Sequence, residues 1–168
     1  GRVVSFINFL HGAFGVLNIP MSKFASSTKP AVPIKADGIK IAAFICYEIA
    51  FPELVLSRDD HINMLLALSN DAWFGQSIAQ AQHLEIAQMR ALEMGRPVLF
   101  VSNNGITAII RADGSVQAAA PQYISYVLTD FVQPTKGKTP WQKTGMDPIL
   151  LFLFVLLFSA IKERRKQQ

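Results

Sequence analysis

Gly38 to Pro52 reads GIKIAAFICYEIAFP, and its interpretation decides the fold. Ile39 to Ile45 alternates and then saturates with apolar and β-branched residues, which predicts a strand buried on both faces. Cys46, Tyr47 and Glu48 follow it, and Pro52 stands where a short helix begins. A cysteine at the C-terminal lip of a buried strand, on a tight strand-to-helix turn, is where an α/β fold exposes a nucleophile. The fold class expected is therefore α/β.

Working outward, Asp37-Gly38 is a hairpin dipeptide joining a strand near Val32 to Ile34 to the central one. Pro52 to Arg58 predicts a short helix, Asp59-Asp60 a turn, and Ile62 to Leu68 a second buried strand, so that strand, helix and strand make a parallel unit. Ser69 to Gly75 (SNDAWFG) is then a loop on the same sheet edge as Cys46, where open α/β sheets carry their sites. Its Asn70, Trp73 and Phe74 are candidates for a pocket wall. Ser77 with Gln80 reads as a capping box opening a helix that runs to Gly95 and Pro97. On that helix Arg90 and Glu93 share a face, and a surface ion pair is the default reading of such spacing. Strands are expected at Val98 to Ser102, Ile106 to Arg111, Val116 to Ala120 and Tyr123 to Val132, the last near a sheet edge. Phe6 to Met21 reads as loop and short helix, either a lid on the domain or a surface lying against a membrane, and Ser22 to Pro33 as loop.

Residues 1–133 form one domain by this reading. Residues 134–145 are a linker rich in Pro, Gly, Lys and Thr, and residues 146–161 an apolar segment in which Pro148 to Ile161 carries no charge. A basic tail, 162–168, follows. An apolar run with a basic flank is the positive-inside pattern, which predicts a C-terminal transmembrane helix with a cytoplasmic tail. The formal charge of +4 comes mostly from that tail, so the domain itself is nearly neutral and charge gives no reason to expect nucleic acid.

Cys46 is the one cysteine, which excludes an intrachain disulfide and a multi-cysteine metal site. A thiol needs a base or a lowered pKa to attack. Glu48 is the nearest acid in sequence, yet two residues along a turn need not face the sulfur. His11, His61 and His83 have no metal-binding spacing and offer no evident base. Gly137-Lys138-Thr139 lacks the earlier glycine of a phosphate loop, since Val132 occupies that place. The residues thus supply a nucleophile without its partner.

ICYEIAFPE (Ile45 to Glu53), SNDAWFG (Ser69 to Gly75), QMRALEMGRPVLFVSNNGITAII (Gln88 to Ile110) and the terminal apolar span resemble, in order and over nearly the whole chain, the C-terminal part of the apolipoprotein N-acyltransferases, membrane enzymes of the nitrilase superfamily. The resemblance implies part of an αββα sandwich on the periplasmic side of the bacterial inner membrane. Cys46 matches the nucleophile of a Glu-Lys-Cys triad, and Tyr47 and Glu48 match its active-site neighbours. It also implies substrate contacts for Asn70, Trp73, Phe74, Arg90 and Glu93. The reaction implied carries an acyl group from a membrane phospholipid, through a cysteine thioester, to the amine of a diacylglyceryl-lipoprotein, with no cofactor and no metal. The triad's Glu and Lys lie upstream of the matched region, and Arg2 stands after Gly1 where the family has a further Glu. Two accounts of that departure stay open, part of a longer protein or a degraded, noncatalytic copy. A superfamily amidase is the other enzyme reading.

Overall fold

The computed structural model describes residues 32–56 and 61–166. The readings of Phe6 to Met21, most of Ser22 to Pro33, Asp59-Asp60, Arg2 and His11 lie outside these residues.

Six strands form one mixed sheet in chain order: β1 (Ile34–Ala36), β2 (Ile39–Ile45), β3 (Met64–Asn70), β4 (Val98–Asn103), β5 (Ala108–Ile110) and β6 (Val116–Ala119). β1 pairs antiparallel with β2, with Ala36 opposite Ile39, so Asp37-Gly38 is the two-residue turn expected of that dipeptide. Both turn residues take positive φ, 46° and 75°, the left-handed region such a turn requires. β2, β3 and β4 are parallel, as the strand-helix-strand pattern predicts, and β5 and β6 continue antiparallel.

Register explains the core. Ala42 and Phe44 align with Leu65 and Ala67, and these with Val98 and Phe100, on one face, and all six are buried. Helices α1 (Pro52–Leu56) and α2 (Ala79–Met94) supply the rest of that core through Val55, Ala87, Ala91 and Met94. The alanines let the α2 backbone approach the sheet closely. The opposite face is apolar but partly open: Ile45, Leu68 and Val101 are all exposed. Toward their C-terminal ends β2 and β3 are therefore covered on one face, not on both as their apolar runs predict, while Met64 at the start of β3 is buried on the second face. The described residues build one sheet and its helix layer, the half of a sandwich.

α2 ends where expected. Gly95 adopts φ 58°, its N–H bonding the Leu92 carbonyl and the Arg96 N–H the Ala91 carbonyl, a glycine-capped stop. Its start differs from the expected capping box. Ser77 accepts from the Ala79 N–H at 3.3 Å, but Gln80 turns away to donate to the carbonyls of Gly75 (2.7 Å) and Asn104 (3.0 Å). A buried amide is better satisfied by two loop carbonyls than by one helix end.

Tyr123 to Val132 is not a strand. Tyr123 sits at φ 63°, incompatible with an extended run, while Val127 and Phe131 are almost fully exposed. The segment is tied down by Gln117, which donates to Asp130 Oδ2 and to the Phe131 carbonyl, each at 2.8 Å. Alternation alone does not make a strand without a partner edge.

The linker is held as well. Arg96, 2% exposed, donates to the carbonyls of Ile62, Gly95 and Gly137, and Asn63 donates to the Thr135 carbonyl. Thr139 and Gln142 form a reciprocal cap on α3 (Pro140–Thr144). Beyond it α4 (Asp147–Lys166) exposes apolar side chains from Ile149 to Phe158.

Among the described residues no helix is long and apolar enough to cross a membrane, which corrects the expected transmembrane segment. The uncharged stretch Pro148 to Ile161 is 14 residues. As a helix it covers about 21 Å, against a hydrocarbon core of about 30 Å. Asp147 stands before it and Lys162, Glu163 and Arg164 follow at once.

Candidate active site

The C-terminal ends of β2, β3 and β4 bring three loops to one sheet edge. Cys46 opens a 3-10 turn (Cys46–Ala50) directly after β2, with φ 53°. A non-glycine residue held there is strained, and a strained strand-to-helix turn is the geometry that pushes a nucleophile out of a sheet. The thiol is half-buried. The hydrogen bond that Glu48 makes is to the backbone and not to the thiol. Its Oε2 accepts from the Ile45 N–H at 2.8 Å, which ties the turn back onto the strand and fixes where Cys46 stands.

After β3, Asn70 accepts from the Ala72 N–H at 3.3 Å and starts a second 3-10 turn (Asp71–Phe74). That turn sends the residues of SNDAWFG in opposite directions. Trp73 and Phe74 go outward, 87% and 45% exposed, while Asp71 goes inward with no exposed surface. Tyr47 and Phe51 are also exposed and stack edge to face, ring centroids 5.9 Å apart. The site edge thus has an aromatic rim over a polar floor.

The floor was not predicted. Ser69 Oγ lies 3.7 Å from Cys46 Sγ and donates to Asp71 Oδ1 at 2.6 Å. Asp71 Oδ1 also meets His83 Nδ1 at 3.1 Å, and Ser102 donates to Oδ2 at 2.8 Å. Burial pushes the Asp71 carboxyl up, but the hydrogen bonds from Ser69, Ser102 and His83, with the His83 charge, outweigh it and hold the group below its ordinary value. Gly105 packs directly on this cluster: a Cβ there would collide with Ser102 Oγ and lie 2.8 Å from Asp71 Oδ2. His83 is buried, edge to face with Phe100 at 5.0 Å, and its Nε2 lacks a partner. Sequence reading placed His83 in a helix with no assigned chemistry. Only packing reveals that β3 and the first turns of α2 put it against Asp71.

Arg90 and Glu93 pair at 2.9 Å with side chains 10% and 16% exposed, so the pair is largely buried, not a surface one. Arg90 lies seven residues beyond His83, about 10 Å along the helix, and the structure does not bring it to Cys46. Burial raises the Glu93 carboxyl, the Arg90 charge opposes this and Glu53 adds to it. A cavity of about 370 Å³ opens at the other end of the parallel strands, lined by Lys40, His61, Asn63, Arg96 and Lys136. Among the described residues no cluster of His, Cys, Asp or Glu is able to hold a metal ion.

A single thiol held on a strained turn at the C-terminal edge of three parallel strands places the chain in the α/β class with a candidate cysteine site. The carbon-nitrogen hydrolase family model matches residues 15–136, and the chain belongs to that family. It is 42% identical over its whole length to an apolipoprotein N-acyltransferase of Shewanella oneidensis, and 40% identical over 99% of its length to one of Photobacterium profundum. It covers 33% and 32% of those two proteins, so the chain spans about a third of the length of the relatives it matches. In fold it resembles a carbon-nitrogen hydrolase from Helicobacter pylori G27 (TM-score 0.51, 16% identity, covering 59% of this chain and 42% of that one). It also resembles the C. elegans NitFhit protein (TM-score 0.51, 18% identity, covering 62% and 28%).

Proposed function

We propose that this chain is the nucleophile-bearing part of an apolipoprotein N-acyltransferase, and that Cys46 carries the acyl group. The supporting observation is the juxtaposition at one sheet edge of a strained, half-buried thiol with the exposed aromatics Tyr47, Phe51, Trp73 and Phe74. An apolar rim suits a fatty acyl chain, which a small polar amide does not need. Asn70 and Glu48 act by shaping the two turns that carry Trp73 and Cys46.

In the first half-reaction the Cys46 thiolate attacks the ester carbonyl of a membrane phospholipid. The carbon–oxygen bond breaks, the lysophospholipid leaves with a proton, and a thioester remains. In the second, the α-amine of a diacylglyceryl-cysteine attacks that thioester, an amide forms and the thiol is regenerated. Thioesters react readily with amines, a reason for sulfur in place of oxygen. The resemblance assigns the proton shuttle to a Glu and oxyanion stabilisation to a Lys, both outside the matched region. We expect the remaining two-thirds of a protein as long as its relatives to bring them. α4 brings apolar surface that meets lipid, at the periplasmic side of the inner membrane.

The test is acyl transfer from phospholipid to a synthetic diacylated lipopeptide, followed by mass spectrometry. The longer protein containing this chain should form the triacylated product and its Cys46→Ala variant should not. The 168-residue chain alone should form none. Transfer that survives Cys46→Ala would refute the assignment.

A further inference from the structure

Among the described residues, the group that approaches the sulfur of Cys46 is a hydroxyl. Ser69 Oγ is 3.7 Å from Sγ, and its proton is committed elsewhere, to Asp71 Oδ1 at the short distance of 2.6 Å. One hydroxyl proton serves one acceptor. While Asp71 holds it, an oxygen lone pair of Ser69 is free to accept from the thiol S–H. When the thiol ionises, the same hydroxyl needs only a rotation about its C–O bond to donate to the thiolate.

Asp71 keeps its place because two further donors saturate it. Ser102 fills Oδ2, and His83 approaches Oδ1 through Nδ1, while its buried Nε2 has no hydrogen-bond partner. Gly105 seals the cluster from the other side, since any Cβ there would meet Ser102 and Asp71. A carboxylate without exposed surface, ringed by three donors, is a costly arrangement to build beside a nucleophile unless its position matters.

We propose that Ser69 orients the thiol of Cys46 and stabilises its thiolate, with Asp71 and His83 as positioning residues that hold the Ser69 hydroxyl in place. This rests on Cys46 being the nucleophile, but not on which acyl group it carries.

The experiment uses the full chain, whose one cysteine makes labelling unambiguous. The second-order rate of alkylation of Cys46 by iodoacetamide is measured at one fixed pH, with a thermal unfolding curve for each protein. Ser69→Ala should slow alkylation about fivefold, the scale of one lost hydrogen bond, and Ser69→Thr should restore it to within about twofold. A wild-type rate in a folded Ser69→Ala variant, or no recovery with threonine, would overturn the proposal.

A second readout requires no variant to fold. The infrared S–H stretch of native Cys46 should be shifted to lower frequency than in the urea-unfolded chain, and a coincident band would equally overturn it. Alkylation needs no phospholipid. A Cys46 that depends on Ser69 here, yet fails to mediate transfer in the lipopeptide assay, would remove the acyl-transfer reading and leave this one standing.

Discussion

At the scale of single residues, the buried carboxylate of Asp71 is the most informative group after Cys46. Its hydrogen bonds to Ser69, Ser102 and His83 lower its pKa from the ordinary 3.8 despite burial. A folded value below the unfolded one means a contribution that is complete above about pH 4 and is lost as pH falls through the lowered value. Asp71→Asn should therefore cost about 2 kcal/mol near neutrality. The gap in melting temperature between wild type and variant should narrow on acidification below about pH 4. A gap that stays constant down to pH 2.5 would contradict the assignment. Cys46 was legible in the sequence because a strand end and a following proline announce a turn. Asp71 was not, since the quoted motif SNDAWFG reads as one polar loop with two aromatics. Only the 3-10 turn after Asn70 sorts its members into outward rings and an inward carboxylate.

At the scale of elements, what the sequence carried well was contiguous. Ile39 to Ile45, apolar but for Lys40, and Ile62 to Leu68 announce strands by their apolar runs, the second found two residues further on at Met64–Asn70, and Gly95 announces the end of α2. Tyr123 to Val132 misled because its alternation is genuine but pairs with no strand among the described residues. A strand is a property of two segments, and one segment's pattern does not reveal the absence of the other. The linker misled in the opposite sense. Its composition reads as free chain, yet Arg96, far away in sequence, binds the Ile62 and Gly137 carbonyls and clasps it to the sheet. Burial lowers the Arg96 pKa, but it stays a cation. Arg96→Leu should leave buried carbonyls without donors and cost about 3 kcal/mol. Amide exchange at Thr135, whose N–H bonds the Asn63 carbonyl, should accelerate well before that of β3. Equal acceleration throughout the sheet would show that the clasp is not local.

At the scale of the whole molecule, the described residues expose apolar side chains on the far face of the sheet, through Ile45, Leu68 and Val101, and along α4. The basic residues that end α4 suggested a spanning helix in the sequence, but among the described residues no helix is long and apolar enough to cross a membrane, and the uncharged run between Asp147 and Lys162 is 14 residues. Contact with lipid does not require spanning. Phe154→Asp with Leu157→Asp should reduce co-sedimentation of the chain with anionic phospholipid vesicles about tenfold or more. Unchanged co-sedimentation would place the lipid contact elsewhere. The sandwich implied by the resemblance is half built in the described residues, and the open sheet face is the side on which the other half would pack.

All three scales converge on the sulfur at the end of β2, and an acyl-enzyme trapped there is the most direct evidence obtainable. The longer protein should be incubated with phospholipid in the absence of acceptor, digested, and its peptides weighed. The account predicts one acylated peptide, carrying Cys46, whose adduct is released by neutral hydroxylamine as a thioester is. An acyl group found on another residue, or a Cys46 peptide that stays unmodified while lysophospholipid accumulates, would contradict it.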